Sequence, residues 1–169
     1  WVNPIDGWNG KDDLLVKAKR AKALGMRLMI DFHYSDSWAD PGKQNKPAAW
    51  VDLPYEELKG ALVAHTIEIL EALKGADISP EWVQVGNETS DGMLWEDGRA
   101  SVNIKKYTDL HNAGYRAVKE IFPDAKVILH IDRGENGTHY NWLLDGMAPY
   151  APQYDLIGMS LYPDPRNWE

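Results

Sequence analysis

The chain has 169 residues, a size that fits one domain, and 44% of them are hydrophobic, enough to bury a sizeable core. Its 18 Lys and Arg against 26 Asp and Glu leave a formal charge of −8, which argues against nucleic acid or another polyanion as partner. No apolar run approaches the roughly 20 residues that span a bilayer, so no membrane partner is expected, and the lack of Cys removes disulfides, thiolate metal sites and cysteine nucleophiles together.

In chain order, Trp1-Val2-Asn3 reads as the end of a strand. A helix is predicted over Lys11–Leu24, with Leu14, Ala18 and Ala21 on one face, closed by Gly25 in the left-handed position that commonly follows a helix. Met26–His33 follows as a strand, nearly continuously apolar before it turns polar, as expected of a strand covered on both faces. After a loop with Pro41, Gly42 and Pro47, a second helix runs over Tyr55–Lys74, its Leu58, Leu62, Ile69 and Leu73 forming one buried face ahead of Gly75. The remaining elements are a strand at Trp82–Asn87, a helix at Ile104–Ile121, a strand at Lys126–Ile131, a short helix at Tyr140–Met147 and a strand at Leu156–Tyr162.

Strand, then four repeats of helix and strand, is an α/β pattern without a linker. A doubly wound sheet usually carries a glycine-rich phosphate loop after its first strand, and no Gly-x-Gly-x-x-Gly occurs here. A partial (β/α)8 barrel is therefore expected, with five strands against the eight that a barrel of roughly 250 residues needs. Residues 1–169 read as a fragment of a single barrel domain.

In a barrel the C-terminal strand ends converge on one rim, where active sites lie. Those ends carry Asn3 and Asp6; Asp31, His33, Tyr34, Asp36 and Trp38; Asn87 and Glu88; His130 and Asp132; Ser160 and Tyr162. Glu88 follows the apolar run Val83–Asn87, a half-desolvated setting that suits a general acid as well as a helix cap or an ion pair. Asn87 beside it is suited to holding a substrate hydroxyl. His33, His130, Asp36 and Asp132 lack the His-x-x-x-His or His-Glu-x-x-His spacing of metal sites, so neither a metal nor another cofactor is expected. Eight Trp and eight Tyr against two Phe favour rings that stack while hydrogen-bonding, and Trp8, Trp38, Trp95 and Trp168 fall in loops where an indole can meet a sugar face. Trp50, Trp82 and Trp142 read as packing residues, and His65, His111 and His139 as core or surface groups without a role. The Lys and Arg residues from Lys11 to Lys46 read as a solvated face.

Two long stretches, Asp31–Gln44 (DFHYSDSWADPGKQ) and Val83–Glu88 (VQVGNE), together with Gly92-Met93-Leu94-Trp95, resemble glycoside hydrolase family 53, the arabinogalactan endo-β-1,4-galactanases. Trp1–Pro4 and Ile157–Pro163 fit the same family in order and spacing, so the resemblance covers essentially the whole chain.

The resemblance implies a barrel enzyme that cuts β-1,4-galactan within the chain and retains anomeric configuration, which requires two carboxyl groups about 5–5.5 Å apart. It makes Glu88 the acid/base at the end of the fourth strand and Asn87 the holder of the sugar 2-hydroxyl. His33, Trp38, His130 and Tyr162 are implied to line subsites, Trp95 to wall the cleft, and Asp36 and Asp132 to orient hydroxyls or histidines. The family's nucleophile Glu closes the seventh strand, so it is expected beyond residue 169, and Glu169 is not that residue. The first strand, an Arg early in the second and the last two β/α units are also expected outside the chain, and the 169 residues alone are expected to be inactive. A polysaccharide substrate implies an extracellular or periplasmic location and, for the complete protein, a monomer. Retaining barrel hydrolases of mannan, xylan or cellulose share the Asn-Glu pair and remain alternatives, as does a non-catalytic carbohydrate-binding barrel.

Overall fold

A computed structural model describes residues 1–162 of the chain. Four strands, β1 (Met29–Phe32), β2 (Trp82–Val85), β3 (Lys126–Ile131) and β4 (Leu156–Met159), alternate with four helices, α1 (Lys11–Ala23), α2 (Tyr55–Gly75), α3 (Ala100–Ile121) and α4 (Gly137–Met147). The strands form one all-parallel sheet in sequential order, with Ile30 opposite Val83, Val83 opposite Val127 and Leu129 opposite Ile157. Sequential parallel strands joined by helices are the repeating unit of a β/α barrel, and the expected fold class stands as a partial barrel. The strand expected at Trp1–Asn3 is not one: Val2 makes a single backbone bond to Ser35 O, at 2.8 Å.

Helix boundaries obey local chemistry. After α1, the Gly25 N–H bonds Lys22 O at 2.9 Å and the Met26 N–H bonds Ala21 O at 3.0 Å, the paired closure expected with a glycine in the left-handed region, here at φ +70°. The second helix runs through Gly75 instead of stopping before it, and Asp77 takes the left-handed position at φ +57°. Lys22 of α1 bonds the Asp77 carboxylate at 2.8 Å, tying the two helix ends together. Residues 100–102 add one turn ahead of the expected start of α3. Asn103 then breaks the helix at φ −153°, ψ 85° and caps its longer second part, its Oδ1 accepting the Lys106 N–H at 3.1 Å.

One face of the sheet buries Ile30, Phe32, Val83, Val85, Val127, Leu129 and Ile131 against Leu58, Leu62 and Leu70 of α2 and Tyr107, Leu110 and Val118 of α3. The other face differs from the reading of strands apolar on both sides, because it carries Asp31, Gln84 and His130. Gly158 belongs to the same surface: a Cβ there would lie 2.8 Å from Ile128 Cγ2 and 3.3 Å from the His130 ring. Among the described residues no helix is long and apolar enough to cross a membrane.

Candidate active site

The end of β2 is built to project one carboxylate. Gly86 turns the chain at φ +88°, where a Cβ would sit 2.5 Å from Thr89 Cγ2. Thr89 anchors the far side of the turn, its N–H and its hydroxyl each donating to His130 O at 2.9 Å. Between them Glu88 is held at φ +47°, a conformation that costs a non-glycine residue about 1–3 kcal/mol and persists only where surroundings impose it. The Glu88 N–H donates to His130 Nδ1 at 3.0 Å, so β3 fixes the backbone of the turn that follows β2.

That bond sets the His130 tautomer. An Nδ1 that accepts from an amide carries no proton, so Nε2 is the protonated nitrogen and faces Ser160 Oγ at 3.0 Å. Burial holds the His130 pKa below its ordinary value, against the pull of Asp31, Glu88 and Asp132, and so favours the neutral ring this arrangement needs. With both nitrogens engaged, His130 positions Glu88.

A second network runs across the sheet. Gln84 Nε2 donates to Asp31 Oδ1 at 2.5 Å and to Asn87 Oδ1 at 3.3 Å, Asn87 Nδ2 donates to Ala39 O at 2.8 Å, and Gln44 Nε2 donates to Asn87 O at 2.8 Å. His33 Nδ1 accepts the Ala39 N–H at 3.0 Å, leaving Nε2–H to donate to Asp31 Oδ2 at 3.1 Å. Glu88, Asn87 and His33 are all buried at this rim. Gln84 and Gln44 escaped the sequence reading; the signal for Gln84 was an amide inside an otherwise apolar strand.

The other expected residues separate into groups. Trp38 is 57% exposed, its ring centroid 5.0 Å from that of His33, a solvent-facing indole beside the network. Tyr162 is 78% exposed, with its hydroxyl 3.4 Å from Glu88 Oε1. Trp95 lies under Arg99 at 4.3 Å, with its indole N–H donating to Asp91 O at 2.8 Å. Asp36 is occupied with backbone, its two oxygens accepting the Asn3 N–H at 2.9 Å and the Ala48 N–H at 2.8 Å, so it fastens the loop after β1 and touches no histidine. Asp132 bonds the Ser90 hydroxyl and lies 3.3 Å from Arg133 Nε, holding the turn after Glu88. Of the residues read as packing, Trp50 is buried and Trp82 lies beneath Arg27 at 4.3 Å, whereas Trp142 is 43% exposed. Trp168 and Glu169 lie outside the described residues. Among the described residues no group of three or more His, Cys, Asp or Glu is placed to hold a metal ion.

A cavity of about 220 Å³ runs along the outer edge of β1, lined by Trp1, Asp31, His33, Trp38 and His65. On that side β1 has no strand partner among the described residues, and barrel closure requires one there, so we assign this cavity no ligand.

Two further histidines are buried. Burial pushes His65 down to about 4. Burial does the same for His111, also to about 4; neither of its ring nitrogens has a well-formed hydrogen bond, although nearby backbone of Val85 and Gln153 favours protonation slightly. A folded-state pKa below the unfolded value near 6.5 means the unfolded chain binds more protons in between, so this contribution to stability is complete above 6.5 and is lost as pH falls towards 4. The urea midpoint is therefore expected to drop between pH 7 and pH 5; equal midpoints at the two values would contradict it.

A parallel β/α sheet that gathers a carboxylate, an amide, two imidazoles and an exposed indole at its C-terminal strand ends defines the class: a β/α-barrel protein with its polar site on that rim. The sequence profile of glycosyl hydrolase family 53 matches residues 1–169, and the chain belongs to that family. It is 37% identical to the arabinogalactan endo-β-1,4-galactanase of Thermothelomyces thermophilus over 171 residues, 96% of this chain and 50% of that protein. Identity is also 37% to the endo-β-1,4-galactanase of Bacillus subtilis (strain 168), across 96% of this chain and 39% of that one. A fungal β-1,4-galactanase structure superposes with a TM-score of 0.91 at 36% identity, covering 96% of this chain and 50% of its own. The chain thus spans half or less of the length of these relatives.

Proposed function

We propose that this chain is the acid/base part of a retaining endo-β-1,4-galactanase that cleaves linear β-1,4-galactan by double displacement. The observation that carries the reading is Glu88, a buried carboxylate on a left-handed turn whose backbone is fixed by His130. In this reading Glu88 protonates the departing glycosidic oxygen, then deprotonates the water that releases the glycosyl intermediate. Asn87 has one amide hydrogen committed to Ala39 O, and the other is available for the sugar 2-hydroxyl. His33 and Trp38 line the sugar site, Tyr162 closes it beside Glu88, and Trp95 stands as an outer wall. The second carboxyl comes from a later strand of the same barrel, and the four strands needed beyond the four described, those of the last two β/α units among them, belong to other parts of the protein. A polysaccharide substrate places the activity in the extracellular or periplasmic space.

The test is reducing-end release from linear β-1,4-galactan, with cellulose, mannan and xylan in parallel, by the full-length protein. Release from galactan alone is the expected outcome. Activity confined to another polymer would keep the barrel chemistry and overturn the substrate; inactivity on all four would favour a carbohydrate-binding barrel.

A further inference from the structure

Outward of Glu88, between the turn after β2 and α4, lies an open cleft of about 320 Å³, walled by Ser90 and Asp91 on one side and by Arg133, His139 and Trp142 on the other. Both walls belong to the described residues, and the cleft lies away from the outer edge of β1. Its position is fixed from two directions. Ser90 Oγ accepts the Asp132 N–H at 2.9 Å, and Ser90 O meets His139 Nε2 at 3.0 Å. The second bond makes Nε2 the protonated nitrogen of His139 and leaves Nδ1 as an acceptor. The Trp142 ring sits 5.4 Å from the His139 ring at an interplanar angle of 38°, steadied on one side and 43% exposed.

We infer that this cleft is a distal saccharide subsite on the leaving-group side of the bond that Glu88 protonates, with Trp142 as its stacking platform. The inference rests on the galactanase reading of the rim and extends it to a surface that reading leaves unused. A general acid faces the oxygen of the departing sugar, so the departing arm of the polymer continues past Glu88, and Ser90, two residues further on, forms the near wall of the cleft. The chemistry suits a neutral ring better than an anion. Arg133 is the one cationic side chain in the lining, with Asp132 3.3 Å from its Nε, and the Asp91 carboxylate is neutralised by Arg99 at 2.8 Å. An indole face with a guanidinium and an imidazole acceptor at its rim matches the apolar face and peripheral hydroxyls of a hexose.

The experiment uses the full-length Glu88→Gln protein, which binds without turnover, titrated calorimetrically with a linear galacto-hexasaccharide and with manno- and xylo-hexasaccharides. Trp142→Ala in that background is expected to weaken galacto-hexasaccharide binding about tenfold. Trp142→Phe, which keeps an aromatic face, is expected to stay within about threefold. Because Trp142 is exposed, the alanine variant is expected to melt with its parent. Galacto-hexasaccharide binding that is unchanged in Trp142→Ala, in a protein whose wild type hydrolyses galactan, would overturn the subsite and leave the galactanase reading standing. Binding of a manno- or xylo-hexasaccharide that Trp142→Ala weakens would uphold the cleft and overturn galactan as the substrate. Equal weakening in Trp142→Phe and Trp142→Ala would overturn the stacking role.

Discussion

Glu88→Gln in the full-length protein is expected to lower hydrolysis of β-1,4-galactan by roughly 10²–10⁴-fold, the usual worth of a positioned general acid or base. The substitution is nearly isosteric and leaves the backbone bond to His130 Nδ1 untouched, so the loss reports proton transfer and not the shape of the turn. Two consequences separate this role from a structural one. An aryl galactoside whose leaving group needs no proton should form the glycosyl intermediate readily in the variant and then stall, because no base activates the water. Added azide, an anionic nucleophile that needs no such activation, should restore turnover and yield a glycosyl azide. Wild-type rates on galactan would remove Glu88 from the mechanism. A variant that is inactive and also melts well below the wild type would assign Glu88 to the fold instead.

Gly92→Ala is expected to cost about 3 kcal/mol of stability, combining roughly 1–2 kcal/mol for a left-handed alanine with roughly 1–3 kcal/mol for overpacking. Gly92 has φ +84°, and a Cβ built there lies 2.0 Å from Gly98 O and 2.8 Å from the Ala100 nitrogen, both backbone atoms that no rotamer change can move aside. The loop is closed by Met93 N–H to Gly98 O at 3.1 Å and Ala100 N–H to Asp91 O at 3.1 Å, so relieving the clash breaks at least one of these bonds. Asp97 within the loop pairs with Lys46 at 2.6 Å and Lys106 at 2.9 Å, which carries the disturbance to the loop after β1. Gly25→Ala is the control: its φ of +70° imposes a conformational penalty, but nothing lies within 4 Å of the added carbon. The measurement is the urea midpoint of each variant, and a Gly92→Ala loss no greater than that of Gly25→Ala would refute the steric argument.

Both outcomes depend on positions whose importance was unequally legible. Glu88 stood out in the sequence because a carboxylate directly after Val83-Gln84-Val85-Gly86-Asn87 has to emerge where an apolar strand leaves the sheet. Gly92 did not, because its requirement comes from the carbonyl of Gly98, six residues away and brought back only by the folded loop. Trp142 read as packing from its place in a helix, since helical periodicity does not say whether the neighbouring surface is covered. Asp36 and Asp132 carry the right chemistry near strand ends, yet hydrogen bonds to Asn3, Ala48 and Ser90 commit them to holding loops.

The alternation of helix and strand, the glycine closure of α1 and the chemistry gathered at the strand ends were determined by sequence alone, because periodicity, backbone conformational preference and side-chain functional groups are local properties. Tertiary structure alone decided that His130 of β3 fixes the backbone of Glu88, that Gln84 joins Asp31 to Asn87, and that Trp1–Asn3 is not a strand. Each of these turns on hydrogen bonds made or not made between segments distant along the chain, and donors and acceptors acquire partners only when packing against a common core brings them within about 3 Å.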